Sequence, residues 1–164
     1  MNALAWLRSY PIARALRRWV IMRAASLVKP FRREIKGGAL TTAEIGDLGE
    51  LLAVKFLRQN GRKVLARNFA SVEGGEVDIV CRHGRVLTFV EVKTRTKLGV
   101  HRPVDAVNAE KQLLIIRGAR FWMQMLENPR VPFRFDVVEV ILLEGELPQM
   151  NVVENAFQLQ KERR

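Results

Sequence analysis

The residues with the clearest chemical potential lie on one apolar strand, predicted over residues 85–94. Side chains alternate across a strand, so one face carries every second residue: Leu87, Phe89, Glu91, Lys93 and Arg95. The strand is apolar enough to be central in its sheet. A carboxylate and an ammonium group are costly to bury there unless they are paired or used. The pattern therefore predicts a charged site where this strand ends.

A second carboxylate, Asp78, lies on the preceding strand. The two strands form a predicted hairpin whose turn is His83-Gly84. Counted back from that turn, Asp78 is opposite a residue near Phe89. A bulge or a diagonal contact would then bring Asp78 and Glu91 within reach of one ion.

A pair of carboxylates of this kind suits a divalent cation. Mg²⁺ prefers carboxylate and carbonyl oxygens, and it completes its shell with waters and phosphate oxygens. Lys93, two residues after Glu91, would orient a metal-bound water or stabilise the charge that develops on a phosphoryl group. On spacing alone, the same residues also fit a surface ladder of salt bridges, and this alternative stays open.

A long helix, predicted from Val104 to about Leu126, supplies an independent indication. Its apolar stripe is formed by Val104, Val107, Ile115, Trp122 and Leu126. Lys111 falls in the middle of that stripe, where its ammonium group needs a carboxylate or a phosphate. We expect either a second active-site base that faces the sheet or a lysine that reaches solvent by snorkelling.

Two further acids are weaker candidates. Glu50 lies on the flank of the apolar arc of the first helix, where a glutamate is more often simply solvated. Asp136 follows Phe135 in a later strand and is expected either to pair with Lys111 or to cap a turn. Cys81 lies on the face expected to be buried, which is typical of a core cysteine. The sequence contains no P-loop, dinucleotide-binding glycine motif, nucleophile elbow or zinc spacing.

The elements that position these residues are indicated by periodicity, caps and turns. Thr41-Thr42-Ala43-Glu44 is a capping box, and the helix that it starts is predicted to end near Gln59. Strands are predicted over residues 63–67, 76–82, 85–94, 133–143 and 149–153, with the long helix between the third and the fourth. The order α-β-β-β-α-β-β combines an antiparallel meander with a crossover helix. It predicts an α/β fold with a mixed sheet.

The charge balance indicates a polyanionic partner. The chain has 164 residues, with 28 Lys and Arg against 17 Asp and Glu, a net charge of +11 and a pI near 10.8. This surplus fits nucleic acid or an anionic membrane surface and does not choose between them. The single cysteine excludes a disulfide framework and a thiolate zinc site. The 48% of apolar residues excludes a mainly disordered chain.

Much of this surplus lies in residues 1–40, which hold nine Lys or Arg and the single acid Glu34. Residues 12–28 predict a basic amphipathic helix that would sit on phosphates or on a membrane surface. A loosely attached, disordered extension, or a start codon placed upstream of Met22, is the simpler explanation. We therefore divide the chain into a basic extension (1–40), a body (41–157) and a charged tail (158–164).

Targeting signals are not visible in the sequence. Arginines interrupt every apolar run before it reaches the length of a signal-peptide core. No stretch approaches the roughly 20 apolar residues that a membrane span needs. We expect a cytoplasmic protein without an integral membrane span.

These residues together resemble a known family. Gly75-Glu76-Val77-Asp78, followed after twelve residues by Glu91-Val92-Lys93, resembles the (D/E)…(D/E)xK signature of restriction-endonuclease-like nucleases. The body resembles the YraN family, an uncharacterised bacterial family of predicted endonucleases. The shared features span about residues 42–157 and include Gly46-x-x-Gly49-Glu50, Asn68, the Gly-Glu-Val-Asp run, Phe89 to Arg95, Pro103, Val107, Lys111, Ala119 and Arg134-Phe135-Asp136. Taken together they are specific, although Val77 replaces the proline that usually precedes the first acid.

The resemblance implies the αβββαβ core of the PD-(D/E)xK superfamily, with a central mixed sheet flanked by helices. The family is also similar to archaeal Holliday-junction resolvases. By that likeness, Asp78 and Glu91 would bind Mg²⁺ or Mn²⁺. Lys93 would act at the attacking water, and Glu50 would complete the catalytic site.

The resemblance also implies a substrate and partners. Lys111 and Arg95 would contact phosphate groups, and the activity would be metal-dependent endonucleolytic cleavage of DNA, structured or branched. A homodimer is a further expectation, because two-fold junctions and duplexes often recruit dimers. The alternatives are a non-catalytic nucleic-acid-binding protein on the same fold, and a membrane-surface or partner-docking protein driven by residues 1–40.

Overall fold

The computed structural model describes residues 22–23, 30–35, 38–98, 107–126 and 130–159. The strands of these residues are β1 (Met22–Arg23), β2 (Glu34–Ile35), β3 (Gly38–Ala39), β4 (Lys63–Ala70), β5 (Glu76–His83), β6 (Val86–Arg95), β7 (Phe133–Ile141) and β8 (Gln149–Phe157). Their helices are α1 (Thr42–Gln59) and α2 (Ala109–Gln124). Neither helix of this described part is long and apolar enough to cross a membrane.

The main sheet has six strands in the order β1-β8-β7-β6-β5-β4, and β2 and β3 form a separate hairpin. Strands β6 and β7 are parallel, whereas the other neighbours in the main sheet are antiparallel. The parallel pair is joined through α2, because parallel neighbours need a crossover connection. The predicted α/β class with a central mixed sheet is confirmed, and the αβββαβ order is consistent with a restriction-endonuclease-like core.

Helix α1 begins at the predicted capping box. The Glu44 N–H donates to Thr41 Oγ1 at 3.2 Å, and the Thr41 N–H donates to Glu44 Oε2 at 2.7 Å. The helix packs on one face of the sheet over a cluster that includes Ile45, Leu52, Phe56, Leu57, Ile79, Cys81, Val90, Val92, Val138 and Val140. Cys81 is a core residue, as predicted.

Helix α2 covers the opposite face of the sheet. It begins at Ala109, after Asn108 accepts the N–H of Lys111 on its side-chain oxygen at 2.8 Å. The predicted start at Val104 lies outside the described residues. The cluster beneath α2 includes Val77, Val80, Leu87, Phe89, Ile115, Ala119, Phe135, Val137 and Phe157. Because β6 contributes to both clusters, it is the doubly covered central strand that its apolar sequence predicts.

The described end of the basic extension packs against the body. Phe31 is buried in the cluster beneath α1. Its N–H donates to the carbonyl of Glu146 at 2.8 Å, and its carbonyl accepts the N–H of Gly145 at 2.9 Å. The N–H of Leu40 donates to the carbonyl of Arg33 at 2.8 Å and closes the β2–β3 hairpin. Residues 30–35 and 38–40 are therefore attached to the turn between β7 and β8.

Met22 and Arg23 add a short strand to the free side of β8, where they pair with Met150 and Gln149. The helix predicted over residues 12–28 is therefore wrong at these two positions, and its other residues lie outside the described part. The physical reason is that an exposed strand edge offers unpaired N–H and carbonyl groups, which an extended segment satisfies.

Candidate active site

Asp78 and Glu91 come together because the β5–β6 hairpin opens between them. The ladder of paired backbones stops at Ile79 and Val90. Beyond it, the N–H of Val92 donates to Asp78 Oδ2 at 2.7 Å, so a carboxylate replaces the usual backbone partner. Continued by one residue, the same register places Asp78 directly opposite Glu91.

The register of this hairpin differs by two residues from the register expected from sequence. Phe89 pairs with Val80 rather than lying opposite Asp78. The cause is the turn, since His83 still belongs to β5 and pairs with Val86, which leaves a two-residue turn. In the observed register Asp78 and Glu91 are opposite each other, so neither the bulge nor the diagonal contact that the prediction required is needed.

Glu91 is a buried carboxylate with incomplete pairing. Its side chain is 2% exposed. Its Oε1 lies 2.8 Å from Lys93 Nζ, but within the described part of the chain its Oε2 has no hydrogen-bond partner. Burial, and then the negative charge of Asp78, raise the pKa of Glu91 to about 7, against the lowering effect of Lys93. The site therefore contains a carboxyl group whose pKa lies close to neutral pH.

Lys111 reaches this carboxylate from α2. Its Nζ donates to Oε1 of Glu76, at the start of β5, and lies 3.6 Å from Glu91 Oε2. Burial lowers the pKa of Lys111, but the hydrogen bond to Glu76 and the charges of Glu91 and Asp78 outweigh it and raise the pKa. The sequence predicts a carboxylate or a phosphate for this lysine unless it reaches solvent by snorkelling, and the structure shows two carboxylates beside it.

A close contact between two glycines sets the height of α2 above the sheet. A Cβ atom on Gly75 would lie 2.1 Å from the backbone nitrogen of Gly118, so only glycine fits at position 75. Lys111 precedes Gly118 by two helical turns and lies on the same side of α2. The contact therefore holds the lysine over the carboxylates.

Glu50, on α1, approaches Asp78 from the face of the sheet opposite to Lys111. A Cβ atom on Gly49 would lie 1.9 Å from Thr94 Oγ1, so glycine lets α1 press on β6 directly beside Glu50. Burial, and then the charge of Asp78, raise the pKa of Glu50, while a hydrogen bond from Asn68 acts against the rise. Among the described residues, Glu50 Oε2 is a second buried carboxylate oxygen without a hydrogen-bond partner.

Arg95, which was expected to contact phosphate, is paired with an acidic side chain of the protein itself. Its Nε donates to Glu139 Oε1 at 2.7 Å, and the amide of Asn151 donates to the other oxygen of Glu139 at 3.0 Å. Glu139 is buried and lies on β7, level with Lys93 of β6. The structure thus places Arg95 on the expected face, held by an acid that the sequence analysis did not single out.

Asp136 lies away from this site. It pairs with Arg62 at 2.6 Å and with Arg134 at 2.9 Å, so neither the predicted pairing with Lys111 nor a turn cap is observed. Arg62 is distant in sequence from Asp136, and nothing in local spacing signals the pair.

The donor set fits a small, hard divalent cation. The charge of Asp78 raises the pKa of Glu50 and of Glu91, and each of these two glutamates has a buried oxygen that no described residue satisfies, so a cation next to these carboxylates would relieve both conditions. No three His, Cys, Asp or Glu side chains of the described residues already form a metal-binding group. Asp78 and Glu91 would therefore hold the ion as a pair, with waters and phosphate oxygens as its other ligands, which is the arrangement that Mg²⁺ accepts.

Five of the six candidate residues are thus brought together, from two strands and from the helices on both faces of the sheet: Glu50, Asp78, Glu91, Lys93 and Lys111. Sequence reasoning missed the role of Glu76 as a partner of Lys111. Its position two residues before Asp78 was the available signal. It also missed that Asn68, in a left-handed conformation with φ of 48°, hydrogen-bonds to Glu50.

Comparisons with known proteins cover the same region. The model of "Uncharacterised protein family UPF0102" matches residues 49–140. A UPF0102 protein of Caldicellulosiruptor saccharolyticus is 40% identical over 115 residues, 70% of this chain and 97% of that protein. One of Geobacter metallireducens is 40% identical over 121 residues (74% and 98%), and one of Trichlorobacter lovleyi is 42% identical over 116 residues (70% and 91%). The chain therefore belongs to the uncharacterised protein family UPF0102, which is the YraN family that the motifs indicate.

Proposed function

We propose that this protein is a metal-dependent endonuclease that hydrolyses phosphodiester bonds in DNA. The observation that carries the proposal is the state of Glu91: buried, next to the charge of Asp78, with a pKa near 7 and an oxygen that no described residue satisfies. Natural structures seldom keep such a group unless it has a function. A phosphodiester and a divalent cation together would complete its environment.

The metal would be Mg²⁺ or Mn²⁺, held by Asp78 and Glu91. When bound, such a cation supplies a Lewis acid for the phosphoryl oxygens and a water of lowered pKa. The backbone N–H of Val92 already holds Asp78 Oδ2 at 2.7 Å, which fixes the orientation of this carboxylate. The carboxylate pair is therefore oriented before any ligand arrives.

The remaining residues have separate roles. Lys93 Nζ, 2.8 Å from Glu91 Oε1, is placed to orient the attacking water or to offset the charge that develops on the phosphoryl group. Glu50 has a raised pKa and an unsatisfied Oε2, and both properties suit a group that accepts a proton from that water. Lys111, held between Glu76 and Glu91, is the candidate contact for the scissile phosphate.

The choice of substrate rests on charge and on the family. The net charge of +11 favours a polyanion, and a carboxylate pair beside two lysines suits a phosphodiester better than a lipid headgroup. Within nucleic acids we propose DNA, structured or branched, and we place the protein in the cytoplasm, where this substrate lies.

A second candidate function is a nucleic-acid-binding protein that does not cleave. It is favoured by one observation: Lys93 and Lys111 already surround Glu91, so the acidic site is partly neutralised without a metal. Dependence on a divalent metal discriminates the two, because phosphate binding needs only low salt whereas the proposed hydrolysis needs the cation.

The test is a cleavage assay with end-labelled linear, flapped and four-way-junction DNA in Mg²⁺, Mn²⁺ or EDTA. Glu91→Gln and Lys93→Met are compared with Glu73→Gln and Lys97→Met, which change exposed residues of the same types. The proposal expects metal-dependent cuts that both site variants lose and both control variants keep. Binding without cuts in any metal would favour the second candidate.

A further inference from the structure

A cavity of about 250 Å³ lies beside the candidate active site, on the side of the sheet that α1 covers. It is lined by Arg33, Thr42, Ile45, Gly46, Glu50, Val92, Thr94 and Thr96. Glu50 belongs to both the cavity and the candidate active site. The volume is slightly below the roughly 300–1,000 Å³ of drug-sized ligand pockets, so there is room for one small group but not for a stretch of duplex.

The lining combines the chemistry that one nucleotide needs. Arg33 supplies a guanidinium group that matches a phosphate. Thr42, Thr94 and Thr96 supply hydroxyl groups that donate to or accept from a sugar or a base edge. Ile45 and Val92 supply an apolar surface for a ring or a sugar.

The protein holds Arg33 at this wall by its backbone. Its N–H donates to Glu144 Oε2 at 2.8 Å, and its carbonyl accepts the N–H of Leu40. Phe31, two residues earlier, is buried in the core. The described end of the basic extension therefore contributes a cationic side chain next to the site, on an anchored segment.

Gly46 keeps the cavity open. A Cβ atom built at this position meets no atom within 4 Å, so packing does not require glycine there. Gly46 lies in the first half of α1, where glycine is among the least favourable residues for a helix. Gly46 thus weakens α1 and leaves empty space in the cavity. Both properties are explained if a ligand occupies that space.

We propose that this cavity receives one unpaired nucleotide of the substrate strand, next to the phosphodiester that is cut. The inference rests on the proposed function and narrows its substrate. A base in a duplex would have to leave its stack to enter the cavity, whereas a base at a flap, a junction or a bulge is already free. DNA with an unpaired nucleotide at the cutting position is therefore the preferred substrate.

The test measures binding rather than cleavage, with the full-length protein and Ca²⁺ in place of Mg²⁺. Two dye-labelled duplexes are compared by fluorescence anisotropy, one fully paired and one with a single unpaired nucleotide. Gly46→Leu fills the cavity, and Ala43→Leu adds the same side chain at an exposed position of α1 outside it. Arg33→Ala and Arg32→Ala form a second matched pair, since only Arg33 lines the cavity.

The wild type is expected to bind the duplex with the unpaired nucleotide about tenfold more tightly than the paired one. Gly46→Leu and Arg33→Ala should lose this preference, while Ala43→Leu and Arg32→Ala keep it. Thermal unfolding of Gly46→Leu should be no lower than wild type, which excludes misfolding as the cause. Equal affinity of the wild type for both duplexes, or a preference that survives in Gly46→Leu, would overturn the inference.

The outcome is separable from that of the proposed function. If the wild type shows the binding preference and both cavity variants lose it, the assignment of the cavity to an unpaired nucleotide stands even when no DNA is cut in Mg²⁺ or Mn²⁺, and only the nuclease activity fails. If metal-dependent cuts occur without any preference for an unpaired nucleotide, the nuclease stands and the cavity proposal fails.

Discussion

Two buried carboxylates at different places in the sheet have opposite surroundings. Asp136, which is fully buried, accepts hydrogen bonds from Arg62 at 2.6 Å, from Arg134 at 2.9 Å and from the N–H of Asn155 at 2.9 Å. Glu91, which is 2% exposed, has one lysine at 2.8 Å and an oxygen that no described residue satisfies. Both carboxylates are as buried as core residues, but only Asp136 has hydrogen-bond partners for both of its oxygens. We therefore call Asp136 the complete carboxylate and Glu91 the incomplete one.

The difference separates a structural role from a functional one. Around Asp136, the buried charge is matched by Arg62, which also bonds to Glu154 at 3.0 Å, so the network joins β7, β8 and the end of α1. Around Glu91, burial and the nearby Asp78 raise the pKa to about 7, which is a cost that folding alone does not explain. Glu91 is therefore the carboxylate for which we propose a bound metal.

The largest expected effect is on activity. Lys93→Met should lower metal-dependent cleavage by about 100-fold or more, because the ammonium group at the carboxylate pair is lost. Because the buried Glu91 loses its ion-pair partner in this variant, thermal unfolding is measured as well and cleavage is compared per folded molecule. Rates are measured under single-turnover conditions, with Lys97→Met as the control. Cleavage within about twofold of the wild type would show that Lys93 has no part in the chemistry.

The opposite pattern is expected at the complete carboxylate. Asp136→Asn should lower the free energy of unfolding by about 3 kcal/mol, because the buried Arg62 then keeps only Glu154 as a charged partner. Cleavage per folded molecule should not change. Denaturant unfolding and an activity assay below the transition measure the two quantities. A stable Asp136→Asn with lost activity would reverse the comparison.

A pH effect is expected at the incomplete carboxylate in metal-free protein. The folded state raises the pKa of Glu91 from 4.5 to about 7, so between these values it holds a proton that the unfolded state has lost. Stability should therefore fall as pH rises through that window, by about 1–3 kcal/mol. Chemical denaturation in EDTA measures the slope. Glu91→Gln should flatten it, and an unchanged slope in that variant would assign the effect to another group.

The smallest expected effect concerns the glycine that lines the cavity. Gly46→Ala should raise the free energy of unfolding by about 0.5–1 kcal/mol, since alanine is the better helix former and its Cβ meets nothing within 4 Å. Gly49→Ala is the contrasting variant, because its Cβ would collide with Thr94. Denaturant midpoints of both variants test the pair. Destabilisation by Gly46→Ala would mean that packing, not an open cavity, selects glycine there.

The features that depend on local chemistry were predictable from the sequence. The capping box at Thr41–Glu44 starts α1, and alternation on β6 places Glu91 and Lys93 on one face. The position of Lys111 in an apolar stripe predicts a carboxylate or phosphate partner, and the structure has two carboxylates there. Each of these inferences needs only a helical or strand period and the chemistry of one side chain.

The features that depend on pairing between distant strands were not predictable in this way. One residue more on β5 before the turn shifts the hairpin register, and with it the partner of Phe89. Glu139 lies beside Lys93 only because β6 and β7 are parallel in one particular register. Arg62, which follows α1, contacts Asp136 of β7 only when the helix has packed on the assembled sheet. Such contacts follow from topology, which a single sequence leaves open.

The most direct test of the account is metal binding by the incomplete site. Mn²⁺ is titrated into metal-free wild type, Glu91→Gln and the control Glu73→Gln, which changes an exposed glutamate, and bound metal is followed by electron paramagnetic resonance. We expect Mn²⁺ binding by the wild type and by Glu73→Gln, and its loss in Glu91→Gln. Binding that Glu91→Gln retains in full, or none by the wild type, would contradict the claim that this carboxylate pair holds the metal.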